Sequence, residues 1–403
     1  MTPPRPSAPD VLEHLVPPAY RQLFPITREW TYLQNASIGP LSTRVLDAVQ
    51  RCLTEQAAAG TESYSSWLET AESVRRQAAA LIKAPAECVS FVRNTAEGLS
   101  RIALGLPWKA GDNIITATIE YPTNVMPWRA LDRVGVETRI LPAPDGRVEI
   151  DDIVRAADAH TRMVAISSIQ FSSGFRIDLA RLGTFCRERG ILLSVDAIHT
   201  LGVFPLDVGA TPVDFVSAGG HKWLLSPVGT GIFYTRPELL DLLRVIEVGA
   251  AGDARYHVQD ELLLHDFVPH PSAKRFEGGV PPFALLAGMG AAIALALEIG
   301  VDRIARHVLA LADRAAAGLA ACGCRILSPR ADEAEKSAIV VFVHPRASSE
   351  TLKRALTAER ISVSLRTVGG RAVLRAAPHF YNDASDIARL VETVAQTAGE
   401  GRR

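Results

Sequence analysis

Seven short apolar runs set the strongest limit on how this chain can fold. They are CVSFV (88–92), NIITAT (113–118), ETRILP (137–142), MVAISSI (163–169), ILLSVDAI (191–198), FVSAGG (215–220) and GIFYT (231–235). Between several of them lie segments with helical spacing, such as AEGLSRIALGL and DLARLGTFCRERG. Runs that are apolar on both faces and alternate with helices favour a mainly parallel sheet covered on both sides. We therefore predict an α/β fold with a seven-stranded sheet.

The chain length predicts two lobes, because 403 residues exceed what one hydrophobic core usually supports. We expect a flexible, proline-rich leader over 1–20, a large domain over 21–282 and a smaller α+β domain over 283–403. The first part of the large domain is a candidate to pack on the small one. The stretch 283–321 has helical character with a break expected at Gly300.

Charge and cysteine usage exclude several functional classes. The chain has 43 basic and 44 acidic residues without a basic stripe, which argues against nucleic acid or an anionic membrane as partner. Five scattered cysteines are typical of reduced thiols, so we expect a cytoplasmic protein. Only one residue lies between Cys322 and Cys324, whereas zinc-binding pairs normally have two to four residues between them. We therefore expect no metal. The N-terminus lacks the apolar core of a secretory signal.

A carboxylate and an amine follow neighbouring runs at a spacing that brings them together. Asp196 comes directly after the apolar run 191–195, and Lys222 lies 26 residues later in GGHKW. One strand, a turn and a second strand fill that interval, so both side chains should reach the same end of the sheet, where ligands bind in such folds. Pyridoxal phosphate needs this pair, since the lysine forms a Schiff base and the aspartate keeps the pyridine nitrogen protonated. Taken singly, Lys222 would also fit a solvated loop lysine, and Asp196 would fit a cap at the end of a strand.

These residues, and six further segments in order, resemble the class V aminotransferase family. The family consists of fold-type I pyridoxal phosphate enzymes and includes cysteine desulfurases, isopenicillin N epimerase-like proteins and kynureninases. The matching segments are TYLQNASIGPLS (31–42), FVRNTAEGLSRIALGL (91–106), ATIEYPTNVMPW (117–128), SSIQFSSGFRIDL (167–179), KRFEGGVPPF (274–283) and VLRAAPHFYND (373–383). The resemblance implies a homodimer with active sites at the subunit interface.

The resemblance also implies a role for individual residues. His199 should bond the phenolic oxygen of the cofactor, Tyr121 should stack on its ring, and either Gln170 or Phe171, on the strand before that of Asp196, should line the ring. The remaining cofactor contacts are expected from Asn94, Thr95, Ala96, His221 and Gly279. Simpler roles compete: Asn94 and Thr95 also suit a helix N-terminus, Tyr121 a core position, and His199 a strand end.

Substrate contacts are expected on the early turn and near the C-terminus. Arg375 matches the family arginine that binds the α-carboxylate, a task that suits the planar fork of a guanidinium. Asn35 and Ser37 should lie close to the substrate.

Two positions depart from the family pattern. The loop 361–375 has no cysteine, so a persulfide mechanism lacks its nucleophile. Where relatives have a Gly-Thr pair that reaches the neighbouring subunit's phosphate, this chain has Gly279 and Val280, without the hydroxyl.

Without the cysteine route, three reactions on an α-amino acid stay open. All begin with an external aldimine and removal of the Cα proton, with Lys222 or a neighbour as base. We expect β-elimination from a sulfur-containing amino acid, a C–S lyase reaction, because desulfurase relatives without the cysteine often catalyse it. The alternative is an aminotransferase or an epimerase in a specialised pathway. A pyridoxal phosphate-binding regulator is disfavoured, since no DNA-binding extension is visible, and a Rossmann dehydrogenase lacks its GxGxxG motif.

Overall fold

The structure is a computed structural model and describes residues 15–256 and 266–400. Its strands are β1 (Thr31–Tyr32), β2 (Val89–Val92), β3 (Asn113–Ala117), β4 (Glu137–Leu141), β5 (Thr161–Ser167), β6 (Leu192–Asp196), β7 (Phe215–Gly219), β8 (Gly231–Thr235), β9 (Arg325–Ile326), β10 (Val340–Val343), β11 (Ile361–Ser362), β12 (Ser364–Val368) and β13 (Arg371–Ala376). Its α-helices are α1 (Thr43–Ala59), α2 (Tyr64–Ile82), α3 (Thr95–Gly105), α4 (Met126–Arg129), α5 (Ile150–Ala156), α6 (Leu179–Glu188), α7 (Phe283–Ile299), α8 (Val301–Ala321), α9 (Ser349–Ala358) and α10 (Ala384–Glu400).

The large sheet has seven strands in the order β2-β8-β7-β6-β5-β3-β4. Strands β3 to β7 are parallel to their neighbours within that group, and β8 is antiparallel to both β2 and β7. The predicted α/β fold with a mainly parallel sheet is therefore confirmed. The carboxyl ends of β5, β6 and β7 lie side by side, because Ser167 and Asp196 are register partners, as are Asp196 and Ser217.

Both faces of this sheet are buried, which explains why its strands are apolar throughout instead of alternating. Along β5, Val164 and Ile166 belong to a core that also contains residues of α2, α6 and α7. The intervening Met163 and Ala165 belong to a second core, to which α3 contributes Leu99. Helices thus cover both sides, as the sequence pattern predicts.

The C-terminal part forms a smaller α+β lobe around the antiparallel sheet β12-β13-β10-β9. The start of the chain joins this lobe, since β1 runs parallel to β11 with Thr31 opposite Ile361. Leu33 lies in the same core as residues of α8, α9 and α10. The proposed domain boundary at 282 stays a prediction. Of the expected leader, residues 1–14 lie outside the described residues, and Pro18–Leu23 forms a 3₁₀ helix.

The break expected at Gly300 separates α7 from α8. Gly300 has a φ of 90°, a conformation that favours glycine, and the two helices meet at a bend of 80°. Helix α7 packs on α1 and α2 of the large domain. In the described parts of the chain no single helix is long and apolar enough to cross a bilayer; only the bent pair passes that test together.

Candidate active site

A cavity of about 450 Å³ opens at the carboxyl ends of the central strands. The loops that follow β2, β3, β5, β6 and β7 form one side of it, and the early turn and the C-terminal sheet form the other. Its polar and aromatic walls are Ser37, Asn94, Thr95, Tyr121, Ser167, Phe171, Asp196, His199, His221, Lys222, Arg366 and Arg375, and Ala36, Ile38, Ala96, Thr123 and Ile198 complete the lining.

Asp196 and Lys222 meet in this cavity, as their spacing predicts. Asp196 ends β6, is 3% exposed, and accepts a hydrogen bond from the backbone of Ile198 (3.0 Å). Burial raises the pKa of Asp196, and the nearby amine of Lys222 opposes that shift. Burial lowers the pKa of Lys222, and the positive charges of Arg375 and Arg366 lower it further, against the attraction of Asp196. The lysine is therefore easier to deprotonate than a free amine.

His199 is held in one neutral tautomer beside the lysine. The indole Nε1 of Trp223, which only donates, bonds to Nδ1 of His199 at 2.9 Å. Burial, followed by the charge of Lys222, lowers the pKa of His199 well below its ordinary value, so the ring is neutral. The proton must then lie on Nε2, which is 3.4 Å from Nζ of Lys222. A fixed N–H donor therefore faces the cavity.

The start of α3 is fastened to the end of β7. Asn94 caps the helix by accepting a hydrogen bond from the backbone of Glu97 (3.0 Å). The hydroxyl of Thr95 accepts from the backbone of Gly219 (2.9 Å), while the Ser217 hydroxyl donates to the carbonyl of Thr95 (3.0 Å). These bonds aim the free N–H groups of the helix terminus at the cavity, which is an arrangement that suits an anion.

Two aromatic rings, from the loops after β3 and β5, line the same side of the cavity as Lys222. Tyr121 and Phe171 meet edge to face with centroids 5.2 Å apart, and Nζ of Lys222 is 5.6 Å from the Tyr121 centroid. Gln170 is buried outside the cavity, where it donates to the carboxylate of Glu120. The expectation that Gln170 and Phe171 lie on the strand itself is wrong, because β5 ends at Ser167. Of the two candidates for the ring wall, the structure brings only Phe171 to the cavity.

Arg375 projects from β13 into the cavity and is 2% exposed. Its guanidinium donates to the carbonyls of Phe171 (2.7 Å) and Ala36 (3.1 Å) and to the Ser37 hydroxyl (3.2 Å). Its Nε has no partner, and no carboxylate in residues 15–256 or 266–400 forms an ion pair with it. A buried guanidinium with an unused donor and no counter-charge is ready to receive an anion.

Arg366 is a cavity residue that sequence reasoning missed. It lies on β12, opposite Val373 in the antiparallel pair, and donates to the same Ser37 hydroxyl at 2.9 Å. Its presence lowers the pKa of both Lys222 and Arg375. The available signal was the pattern VSLR, which places an arginine on the short strand that precedes the strand of Arg375.

Besides Gln170, two predicted site residues are not brought to the cavity. Asn35 is fully buried, donates to the Ala377 carbonyl and accepts from the hydroxyl of Tyr381, so its side chain is used within the fold. Gly279 lies beside the exposed Val280 in a separate groove.

The comparisons with known proteins identify the family of this chain. The family model described as "Aminotransferase class-V" matches residues 31–390. The chain belongs to the class V aminotransferase family. A probable cysteine desulfurase of Methanothermobacter thermautotrophicus is 29% identical over 94% of this chain and 98% of its own length.

Solved structures of this family share the fold. A cysteine desulfurase from Thermococcus onnurineus NA1 has a TM-score of 0.85 at 22% identity, covering 96% of this chain and 98% of its own. The cystine C–S lyase C-DES, solved with its product cysteine persulfide, has a TM-score of 0.84 at 22% identity, covering 92% and 99%. A further C-DES structure contains glycine linked covalently to its pyridoxal phosphate cofactor. At these identities the likeness shows the fold, and the predicted fold type and family are confirmed.

Proposed function

We propose that this protein is a pyridoxal phosphate-dependent C–S lyase that eliminates sulfur from an α-amino acid. Its relatives include cysteine desulfurases and its fold neighbours a cystine C–S lyase. The observation that carries the choice of reaction is the placement of the thiols. In the part of the chain that the structure describes, no cysteine lines the cavity.

The cavity residues fit the cofactor. The N–H groups at the start of α3, with Thr95 and His221, would hold the phosphate, and Asp196 would hold the pyridine nitrogen. Lys222 would carry the covalent link, with the Nε2–H of His199 directed at the phenolic oxygen and Tyr121 over the ring. When bound, pyridoxal phosphate supplies an electron sink for the negative charge that develops at Cα.

Lys222 would then move the proton that starts the reaction. Its pKa is depressed by burial, so a substantial part of its amine is neutral near physiological pH and able to accept the Cα proton. The positive charges of Arg375 and Arg366 keep that pKa low even beside Asp196. The same amine can return the proton to the departing sulfur.

Arg375 would bind the α-carboxylate of the substrate. Its Nε is unpaired, and no carboxylate of the described residues balances its charge, so the guanidinium is free to bind the carboxylate of an arriving amino acid. The three hydrogen bonds to Phe171, Ala36 and Ser37 fix the plane of its fork. Substrate orientation is thereby set before binding.

The sulfur would leave with the product instead of passing to the enzyme. Burial raises the pKa of Cys52, Cys88, Cys186 and Cys324, which disfavours the thiolate that attacks sulfur. In the elimination, the Cα–H bond and the Cβ–S bond break, and the sulfur departs as a thiol or persulfide. Hydrolysis of the remaining three-carbon unit with one water yields pyruvate and ammonia, so the step needs no oxidant.

The experiment is a product assay on a variant in which all five cysteines are replaced by serine or alanine. We expect pyruvate and free sulfide or persulfide from L-cysteine or L-cystine, at a rate close to that of the wild type. Buried thiols pack as small apolar groups, so some loss of stability is expected. Loss of sulfur release by the folded variant, or a persulfide on one of these cysteines in the wild-type protein during turnover, would contradict the proposal. Formation of alanine, keto acid from other amino acids, or a D-amino acid would instead favour desulfuration, transamination or epimerisation.

We further propose a cytoplasmic homodimer. Val248 and Val280 are 63% and 68% exposed and line one groove next to Gly279, a cluster of apolar surface that a second subunit would bury. Gly279 of each subunit would then reach the other subunit's phosphate through its backbone N–H. Sedimentation should give a dimer for the wild type and a monomer for Val280→Glu; a monomeric wild type would contradict this. Reduced cysteines are consistent with the cytoplasm.

A further inference from the structure

A buried carboxylate outside the cavity joins two of the loops that build it. Glu120 follows β3 and is 5% exposed. Its Oε1 accepts hydrogen bonds from the backbone of Ser167 (2.7 Å) and the amide of Gln170. Its Oε2 accepts from the Ser167 hydroxyl and the amide of Asn124 (3.0 Å). Among residues 15–256 and 266–400, no basic side chain forms an ion pair with it.

Both carboxylate oxygens of Glu120 face groups that must act as hydrogen-bond donors. The indole of Trp128, which only donates, bonds to Oδ1 of Asn124 (3.2 Å), so the amide nitrogen of Asn124 must face Glu120. On the other oxygen, the Ser167 backbone can only donate. A group that accepts on both atoms satisfies these donors, whereas an amide of the same shape would set donor against donor.

The loops that Glu120 joins carry parts of the proposed active site. The next residue along the chain is Tyr121. The loop held through Ser167 and Gln170 continues into Phe171, whose carbonyl accepts the 2.7 Å bond from Arg375 and whose ring contacts Tyr121. One carboxylate therefore links the loop after β3 to the loop that supports the guanidinium.

We propose that Glu120 is a positioning residue that clamps the 118–124 turn to the 167–171 loop and thereby aims Arg375 at the α-carboxylate of the substrate. This deepens the proposed function and rests on it. Glu120 does not line the cavity and acts only through its neighbours.

The first experiment measures amino-acid binding with L-alanine, followed by the change in visible absorbance of the cofactor-loaded protein. In Glu120→Gln we expect the dissociation constant of L-alanine to rise by about ten-fold, the effect of one misdirected charge-assisted hydrogen bond, with cofactor affinity within about three-fold of wild type. Asn124→Asp in the same protein restores an acceptor opposite the new amide and should recover most of the affinity, which a general loss of stability would not. Unchanged affinity in Glu120→Gln would overturn the proposal.

The matched control is Asp214→Asn. Asp214 is also a buried carboxylate that accepts a backbone hydrogen bond, from Leu193 at 2.7 Å, but it lies at the amino end of β7 and pairs with Arg236. This variant should bind L-alanine as the wild type does. An equal loss of affinity in the control would mean that any buried carboxylate of the sheet has the same effect, and would also overturn the proposal.

The second experiment uses cofactor-free protein, so that it does not depend on the reaction. Amide hydrogen exchange should become faster in peptides covering 118–124 and 167–171 in Glu120→Ala, with exchange in α8 and α10 unchanged. If Glu120→Ala does not fold, Ser167→Ala removes a single bond of the cluster and should accelerate the same peptides. Unaltered exchange in these loops would refute the clamp. A wild-type protein that binds the cofactor but does not respond to any amino acid would contradict the proposed function instead.

Discussion

The two walls of the cavity differ in how far their polar side chains find partners within the protein. On the wall formed by the parallel sheet, three polar groups are bonded within the fold: Asp196 to the Ile198 backbone, His199 to Trp223, and Thr95 to Gly219. On the wall formed by the C-terminal sheet, two guanidiniums share one hydroxyl, and within residues 15–256 and 266–400 neither forms an ion pair with a carboxylate. We therefore interpret the first wall as the platform for the proposed cofactor, and the second as the place where the anion of the proposed substrate would bind.

Replacing Lys222 by alanine should have the largest effect, because Lys222 is the only lysine among the described residues that line the cavity. We expect activity to fall by at least about a thousand-fold. Borohydride should fix the cofactor to Lys222 in the wild type and to no residue in the variant, as read by peptide mass. A reducible adduct at another lysine would show that the platform is wrongly assigned.

Replacing Asp196 by asparagine should have the next largest effect on the platform. An amide keeps the shape but loses the charge that stabilises a protonated pyridine nitrogen, so we expect turnover to fall by about 10²–10³-fold while the cofactor stays bound. Ser194→Ala, on the same strand, is a suitable control because the Ser194 hydroxyl has no hydrogen-bond partner. Near-normal turnover of Asp196→Asn would exclude this role.

Substitutions of Arg375 test the second wall and the difference between the two walls. Arg375→Lys keeps the charge but loses the fork, so the dissociation constant of the amino acid should rise by about ten-fold or more, with the cofactor spectrum intact. Arg375→Ala loses three hydrogen bonds but also removes a buried charge for which the described residues provide no ion-pair partner, so we expect a smaller drop in melting temperature than the loss of an ion pair would cause. Breaking a structural ion pair would instead cost about 3–5 kcal/mol of stability. A loss of stability of that size, together with normal substrate affinity, would refute the distinction between the walls.

The smallest expected effect is the influence of the Arg366 charge, on the second wall, on the pKa of Lys222, on the first. Arg366 lowers the pKa of Lys222, because a nearby positive charge disfavours the ammonium form. Arg366→Gln should therefore raise that pKa by a small amount, since the guanidinium is exposed and solvent screens its charge. The rate at which cofactor-free protein captures pyridoxal phosphate should rise with pH through a midpoint below the ordinary lysine value of about 10.4, and this midpoint should move upward in the variant. A downward shift would contradict the electrostatic assignment.

The same asymmetry explains how much the sequence could predict. Asp196, His199 and Lys222 lie within two strand units, so spacing alone brings them to one edge of the sheet. Arg366 was missed because its approach to the cavity depends on how β12 pairs with β13, and short antiparallel strands leave that register open. Glu120 was missed because a single acidic residue in a turn is usually solvated, and its burial is set by three donors on other loops.

Other site residues show the limits of family resemblance without geometry. Asn35 lies on the expected early turn, yet its amide is used by Ala377 and Tyr381. Gln170 and Phe171 are adjacent, and only the end of β5 at Ser167 decides which of them faces the cavity. Such choices depend on tertiary hydrogen bonds that a sequence pattern does not contain.

The pairing of β1 with β11 has a consequence for synthesis on the ribosome. Thr31 emerges from the exit tunnel long before its partner Ile361 is translated. The parallel sheet can assemble while translation continues, but the carbonyl of Ala36 and the hydroxyl of Ser37 wait for Arg375, the last residue of the cavity to be made. A stalled chain that ends before 361 should therefore expose an unpaired first strand to chaperones, and the proposed capacity to bind the amino acid should appear only after Arg375 has left the tunnel.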